Sequence, residues 1–319
     1  MSSRSTAFAL SAVLCVLGAT AAVAGPASSD SLNGAPGCPL FPSDNPWNQR
    51  VDRLPVAAGS DALVRSIGLG DYLHADFGSG RYQGAPIGIP YQIVSRRQAR
   101  VPVSFRYAAE SDRRRYPIPP DVPIEGGPRA SGDRHVIVVD RHRCRLYELF
   151  AAYPVDGGRR WRAGSGAIWS LRTNRLRPRG WTSADAAGLP ILPGLARREE
   201  LRRGGIDHAL RFTAPRTRRA FVYPARHFAS SLTDPDLPAM GQRLRLHASF
   251  DLSPFPPQSR AVLRALKRYG MILADNGAPW FVSGAPSRGW DNDDLHELHR
   301  VRGRDFEVVD TSSLPQPGR

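Results

Sequence analysis

The sequence predicts a mainly β fold, a β-sandwich or jelly-roll body with a few short packed helices. Three observations carry that expectation. Short β-branched and alternating apolar runs recur along the chain, 29 prolines and 30 glycines punctuate them as turn residues, and helical periodicity is confined to brief stretches. Strands do not alternate regularly with helices, which argues against a parallel α/β sheet. No repeat at solenoid or propeller period is present.

Taken in order, residues 25–60 are turn-rich and read as chain lying extended over the body. Ser60 and Asp61 open a short helix through Ile67, closed by Gly68 and Gly70. Residues 100–107 alternate, with Val101, Val103, Phe105 and Tyr107 on one face of a half-buried strand. A Pro-rich loop over 108–133 precedes the strongest strand signal, 135–140, which a four-residue link joins to the alternating run 145–150 as a hairpin. Further strands are expected over 167–171, 209–214, 219–223, 243–247, 271–275 and 280–283. The best helix spans 257–269: proline stands at its start, Val262, Leu263, Leu266 and Tyr269 form one face, and Gly270 ends it. A shorter helix is expected over 197–203.

The N-terminus reads as a secretory signal over 1–24: Arg4, an apolar run from Phe8 to Val23, and the small-x-small site Ala22-Val23-Ala24 before Gly25. Residues 25–319 then form one globular β-rich domain, and no later stretch is apolar enough to span a bilayer. Cys15 follows Leu14, which disfavours lipidation. Beyond the leader, Cys38 and Cys144 form an even pair in an exported chain, which predicts a disulfide. The expected location is secreted or periplasmic.

The formal charge of +15 rests on arginine, since Lys267 is the only lysine. No block of five or more like charges occurs, so the basicity does not mark a nucleic-acid partner. There is no Gly-x-Ser-x-Gly elbow, His-Glu-x-x-His, P-loop, Rossmann fingerprint or Cys-x-x-Cys pair. No cofactor is implied.

His208 opens one predicted strand and His227 closes another. If the two strands pair as a hairpin, both imidazoles meet at one end of the sheet as candidate bases, with Arg226 or Arg211 to neutralise a substrate carboxylate. His296 and His299 lie three apart behind Asp291, Asp293 and Asp294; the better reading is a solvated helix start, and no metal is predicted. Trp47, between Asp44 and Asn48, and Trp181 are candidate sugar platforms, Trp47 equally a plug at the core edge.

Glycoside cleavage needs two carboxyls facing one bond. Asp185 within 180–188, Asp275 at a strand end before Asn276-Gly277, and Glu125 before Gly126-Gly127 are the leading candidates. Asp140 and Asp251 also end apolar stretches, and Glu148 points either outward to solvent or inward to function.

Four stretches carry a resemblance: Gly205-Ile-Asp-His-Ala-Leu-Arg-Phe-Thr-Ala-Pro215, Pro224-Ala-Arg-His227, Trp181-Thr-Ser-Ala-Asp-Ala-Ala-Gly-Leu-Pro-Ile-Leu-Pro-Gly194 and Ala265-Leu-Lys-Arg-Tyr-Gly-Met-Ile-Leu-Ala-Asp-Asn-Gly277. Together they resemble a group of exported bacterial proteins, and the likeness runs from about Cys38 to Leu314. It implies export and one integral domain, and no activity.

The leading functional expectation is a glycan-cleaving enzyme, a glycoside hydrolase using a carboxylate pair on an extracellular polysaccharide. The basic surface favours an anionic polymer. One alternative is a polysaccharide lyase with His208 or His227 as base and Arg226 or Arg211 on the uronate. The other is a non-catalytic glycan-binding or cell-envelope protein.

Overall fold

The computed structural model describes residues 32–318, so the expected leader lies outside the described residues. Strand exceeds helix, 24% against 15%, and the helices are few and short, as the mainly β expectation requires. No helix among the described residues is long and apolar enough to cross a membrane.

A four-stranded sheet runs in the order Ser165–Ser170, Arg145–Phe150, Val136–Asp140, Tyr91–Val94. The predicted hairpin is its centre, with Asp140 opposite Arg145 and Val136 opposite Leu149. Both faces of this sheet are buried, which explains the unbroken Val136-Ile-Val-Val139 run. Ile137, Val139, Leu146 and Trp169 pack against Leu40, Phe41 and the Ile191–Leu195 region. Val136, Val138, Tyr147 and Leu149 pack the other way, on Tyr116, Ile118, Trp161 and Ala163. That second layer includes a three-stranded sheet of Val103–Phe105, Tyr153–Val155 and Arg160–Ala163.

A six-stranded mixed sheet supplies the other main layer, in the order His74–Asp76, Phe281–Ser283, Leu210–Ala214, Met271–Asn276, Arg243–Leu246, Phe306–Val308. Its Leu210–Ala214 and Met271–Asn276 strands run parallel, as do His74–Asp76 and Phe281–Ser283. Pro257–Arg268 buries Val262, Leu263, Ala265 and Leu266 and crosses back into Met271 through Gly270. Gly270 is required there: its φ is +65°, and a Cβ would stand 2.1 Å from the Leu244 carbonyl oxygen. Ser60–Ile67 buries Leu63, Val64 and Ile67 at helical spacing, although its N-cap is Gly59 rather than a polar side chain.

Two expectations are corrected. The stretch 219–223 is not a strand; Phe221 makes only an isolated bridge to Met240, and Leu210–Ala214 pairs instead with Met271–Asn276 and Phe281–Ser283. The hairpin expected to bring His208 and His227 together therefore does not form. The N-terminal chain, expected to lie extended over the body, is fixed to it by side-chain bonds among the described residues. Arg243 donates to the carbonyls of Pro46 and Gln49, and Arg245 to those of Val51 and Leu54. These bonds from a central strand bury Trp47, which is 2% exposed.

Cys38 and Cys144 are disulfide-bonded across a sequence separation of 106. The bridge ties the N-terminal segment to the hairpin turn of the four-stranded sheet. Closing so long a loop restricts the unfolded chain, so the double Cys→Ser variant is expected to lose about 2–5 kcal/mol in urea denaturation. An unchanged midpoint and slope would show that the N-terminal segment is held by the arginine bonds alone.

Candidate functional site

Arg211 is the organising residue. On the six-stranded sheet it lies opposite Ile272 on one side, with its side chain 4% exposed overall at the residue level. Its Nε and Nη2 donate to the two oxygens of Asp185, each at 2.8 Å, in a bidentate pair. Nη1 donates to Ser283 Oγ at 2.8 Å, and Nη2 also reaches Asp275 Oδ2 at 3.1 Å. Asp185 has no exposed side-chain surface, whereas Asp275 keeps 20%.

Asp275 reaches this position through a β-bulge. Phe212 pairs with Leu273 but Thr213 pairs with Asp275, so Ala274 is the extra residue. Strand side chains alternate, so without the bulge Asp275 would face away from Arg211. The bulge also frees the Ala274 carbonyl to accept from Ala187 N at 2.9 Å, docking the Asp185 loop beside it. Beneath the cluster Gly194 lies against both Trp47 and the stem of Arg211; a Cβ there would stand 2.7 Å from the indole and 2.8 Å from Arg211 Cβ.

Burial, and next the adjacent Asp185 carboxylate, push the Asp275 carboxyl up to about 8, against the opposing pull of Arg211. The shift favours the protonated form of Asp275. It fits the geometry, because Asp275 shares one guanidinium with Asp185 and feels its negative charge.

An open cleft of about 920 Å³ is lined by Asp76, Glu125, Asp133, His74, Tyr82 and Arg129 among others; Arg211, Asp185 and Asp275 are not part of that lining. Asp76 ends the edge strand in register with Ser283, the partner of Arg211. Glu125 comes from the four-stranded layer, where His135 opens the strand Val136–Asp140. His135 Nδ1 lies 2.6 Å from Glu125 Oε2, and Nε2 lies 2.9 Å from the Ala184 carbonyl. Burial acts to lower the His135 pKa, but Glu125 overrides it and holds the imidazolium up to about 9. Burial acts to raise Glu125, and the His135 charge wins, leaving its carboxyl below the usual range. Asp76, exposed at the mouth but hemmed in by protein, is raised by burial and then by Glu125. Arg211 feels Asp185, Asp275 and Glu125 together. The cleft therefore joins groups from both main sheets.

Of the sequence candidates, Asp185, Asp275 and Arg211 are hydrogen-bonded together, and Glu125 acts on Arg211 electrostatically without touching it. The others do not join them. His208 is buried, with Nε2 2.9 Å from Glu200, a carboxylate that also pairs with Arg197. His227 Nδ1 lies 2.7 Å from the Ala186 carbonyl and its ring stacks on Phe228, behind the Asp185 loop. Arg226 donates through Nε to the Arg177 carbonyl. Trp47 is core rather than a sugar platform, and Trp161 and Trp290 are buried with it. Trp181, partly buried, lies beside Arg177. Glu148 points inward, where it accepts from Ile191 N and Leu192 N; burial pushes it up to about 7 against those bonds. Asp140 accepts from the turn amides of His142 and Arg143, and exposed Asp251 accepts from Ser253 N. Among the described residues no group of three or more His, Cys, Asp or Glu side chains is arranged to hold a metal ion. His296 and His299 line the far end of the cleft with His74, whose Nδ1 is 2.8 Å from His299 Nε2.

Asp76, Asp133, His135 and Ser283 were not singled out from the sequence. His135 was read only as the first residue of a strand; its neighbour Asp133 in Gly132-Asp133-Arg134, following a glycine-rich loop, was the available signal.

These shifts share a sign above neutrality. Asp275, Glu148 and His135 all have folded pKa values above their unfolded ones, so each contributes stability at low pH that is lost as pH rises. Melting temperature is therefore expected to fall as pH rises from 6.5, the ordinary histidine value, towards about 9. A pH series by differential scanning calorimetry checks this, and a flat profile across that window contradicts it.

Comparison with known proteins gives no match to a family model, to a curated protein or to a solved structure, so the chemistry of this cleft is read from its own residues.

Proposed function

We propose that this protein is an exported glycan-cleaving enzyme, a glycoside hydrolase acting on an extracellular polysaccharide. The reading is supported by Asp275, a carboxyl pushed up to about 8 beside Arg211, together with Glu125, which lines a wide cleft, is held below the usual carboxylate range and acts electrostatically on Arg211. Two carboxyls whose surroundings drive their pKa values apart are suited to divide acid and base roles. Asp275 gives its proton to the leaving oxygen as the C1–O bond breaks. Glu125 takes the proton of the water that forms the new bond to C1. Arg211, already bridging Asp185 and Asp275, stabilises the charge that Asp275 acquires.

The cleft volume lies at the upper end for ligand sites, and Tyr82 on its wall is 69% exposed, a free aromatic face on which a sugar ring can stack. The Cys38–Cys144 disulfide suits an oxidising compartment.

The test is release of reducing ends from a panel of neutral and anionic polysaccharides, with double-bond absorbance followed in parallel. The reading predicts new reducing ends without that absorbance, lost in Glu125→Gln. Tyr82→Ala is expected to raise KM several-fold while leaving kcat nearly unchanged, the mark of a binding contact. Appearance of the double bond would assign a lyase instead. Binding without cleavage by the folded protein across the panel would assign a glycan-binding protein.

A further inference from the structure

A second concave surface lies beside the Asp185 loop, where Arg226 N donates to the Ala187 carbonyl. It is a groove of about 440 Å³ whose lining includes Arg179, Arg226, Phe221 and Gln242, with Asp310 the one carboxylate among them. Arg179 stacks over Phe221 at 4.6 Å, and Phe221 stacks on Phe228 at 6.4 Å. Arg219 covers Phe228 from its other neighbour position at 5.9 Å, and the His227 ring lies parallel to Phe228. Together they form a run of stacked rings with a guanidinium over Phe221 and another over Phe228.

The acceptors of this surface are few. Arg179, Arg219 and Arg226 pair with no carboxylate among the described residues, and Arg226 spends only Nε, on the Arg177 carbonyl. An arginine stacked on a ring has already given up much of its side-chain freedom. Its N–H edge nevertheless stays in the plane and available. Two guanidinium groups in the groove, Arg179 and Arg226, with Arg219 stacked on the neighbouring Phe228, match planar or tetrahedral oxyanions carried at intervals along a polymer. The rings are covered by guanidinium groups, which leaves them poorly placed to stack nucleobases.

We infer that this groove is a binding site for an anionic polysaccharide, taking the carboxylates or sulfates of its sugars on Arg179 and Arg226. The site is separate from the carboxylate cleft and does not depend on hydrolysis. It gives the excess of positive charge a local role that the acidic cleft does not.

Isothermal titration of the whole protein with a polyuronate oligosaccharide, at low and high salt, tests the assignment. Binding is expected to weaken with salt and to fall about tenfold or more in Arg179→Gln/Arg226→Gln. Arg96→Gln/Arg97→Gln removes the same charge from an exposed turn and is expected to leave affinity unchanged. Circular dichroism and melting temperature verify that each variant is folded. The inference is overturned if the wild type does not bind, or if both double variants lose affinity equally. Tighter binding of a single-stranded oligonucleotide of matched charge, lost in the first variant, would overturn it in favour of a nucleic acid.

Discussion

Arg211→Leu is expected to destabilise the protein by about 3–5 kcal/mol, because it strands Asp185, a carboxylate with no exposed side-chain surface, without its bidentate partner. Leucine keeps the apolar stem that lies against Gly194, so the loss reports the charge more than a cavity. The pH dependence identifies the cause. An unpaired buried carboxylate is costly as an anion, so the folded variant gains more from binding a proton than the unfolded chain does. Stability is then regained as pH falls and lost as it rises. The deficit against wild type should shrink markedly at mildly acidic pH in urea denaturation. A deficit independent of pH would mean that Arg211 acts through packing alone.

Asp275→Asn is expected to lower kcat on the cleaved glycan by two to four orders of magnitude, about the contribution of a positioned general acid. Asparagine can still accept from Arg211 Nη2 through its amide oxygen, and it removes the need to share one guanidinium between two carboxyls. Folding stability should therefore be kept or slightly raised, which separates the catalytic effect from misfolding. The wild-type profile should fall as pH rises through about 8, where Asp275 loses its proton. On the acid side it should rise with ionisation of Glu125, below the usual carboxylate range. The alkaline limb is the one that Asp275→Asn abolishes. An activity retained within about threefold would remove Asp275 from the acid role.

The parts of the fold legible in the sequence are those set by local chemistry. Proline at the start and glycine after the end marked the helix Pro257–Arg268, and β-branched density marked Val136–Asp140. The stretch 219–223 carried the same kind of apolar run but leads into Tyr223-Pro224, and neighbouring strands chose other partners. Strand pairing is a long-range property, and no residue in 219–223 records it. The expected histidine pair failed with it.

At the site, acidic residues in turn-like settings pointed to Asp185, Asp275 and Glu125, but nothing local signalled their shared link to Arg211. Asp275 depends on a one-residue bulge, invisible in Met271-Ile-Leu-Ala-Asp-Asn276. Glu125 depends on His135 from the other layer, and Asp76 on the register of an edge strand. Arg211 was read as a partner for substrate. In the folded chain two aspartates and a serine already occupy its donors. For Trp47 the sequence left a sugar platform and a core plug equally open; the burial that decides for the plug comes with carbonyls around it bonded to Arg243 on a distant strand.

The most direct test of the central claim is a titration of Asp275 itself. Carbon NMR of protein labelled at aspartate side-chain carboxyls, with Asp275→Asn to assign the resonance, follows its protonation across the pH range. The account predicts one aspartate titrating near 8 and absent from the variant; a resonance titrating near the ordinary value of 3.8 would contradict it.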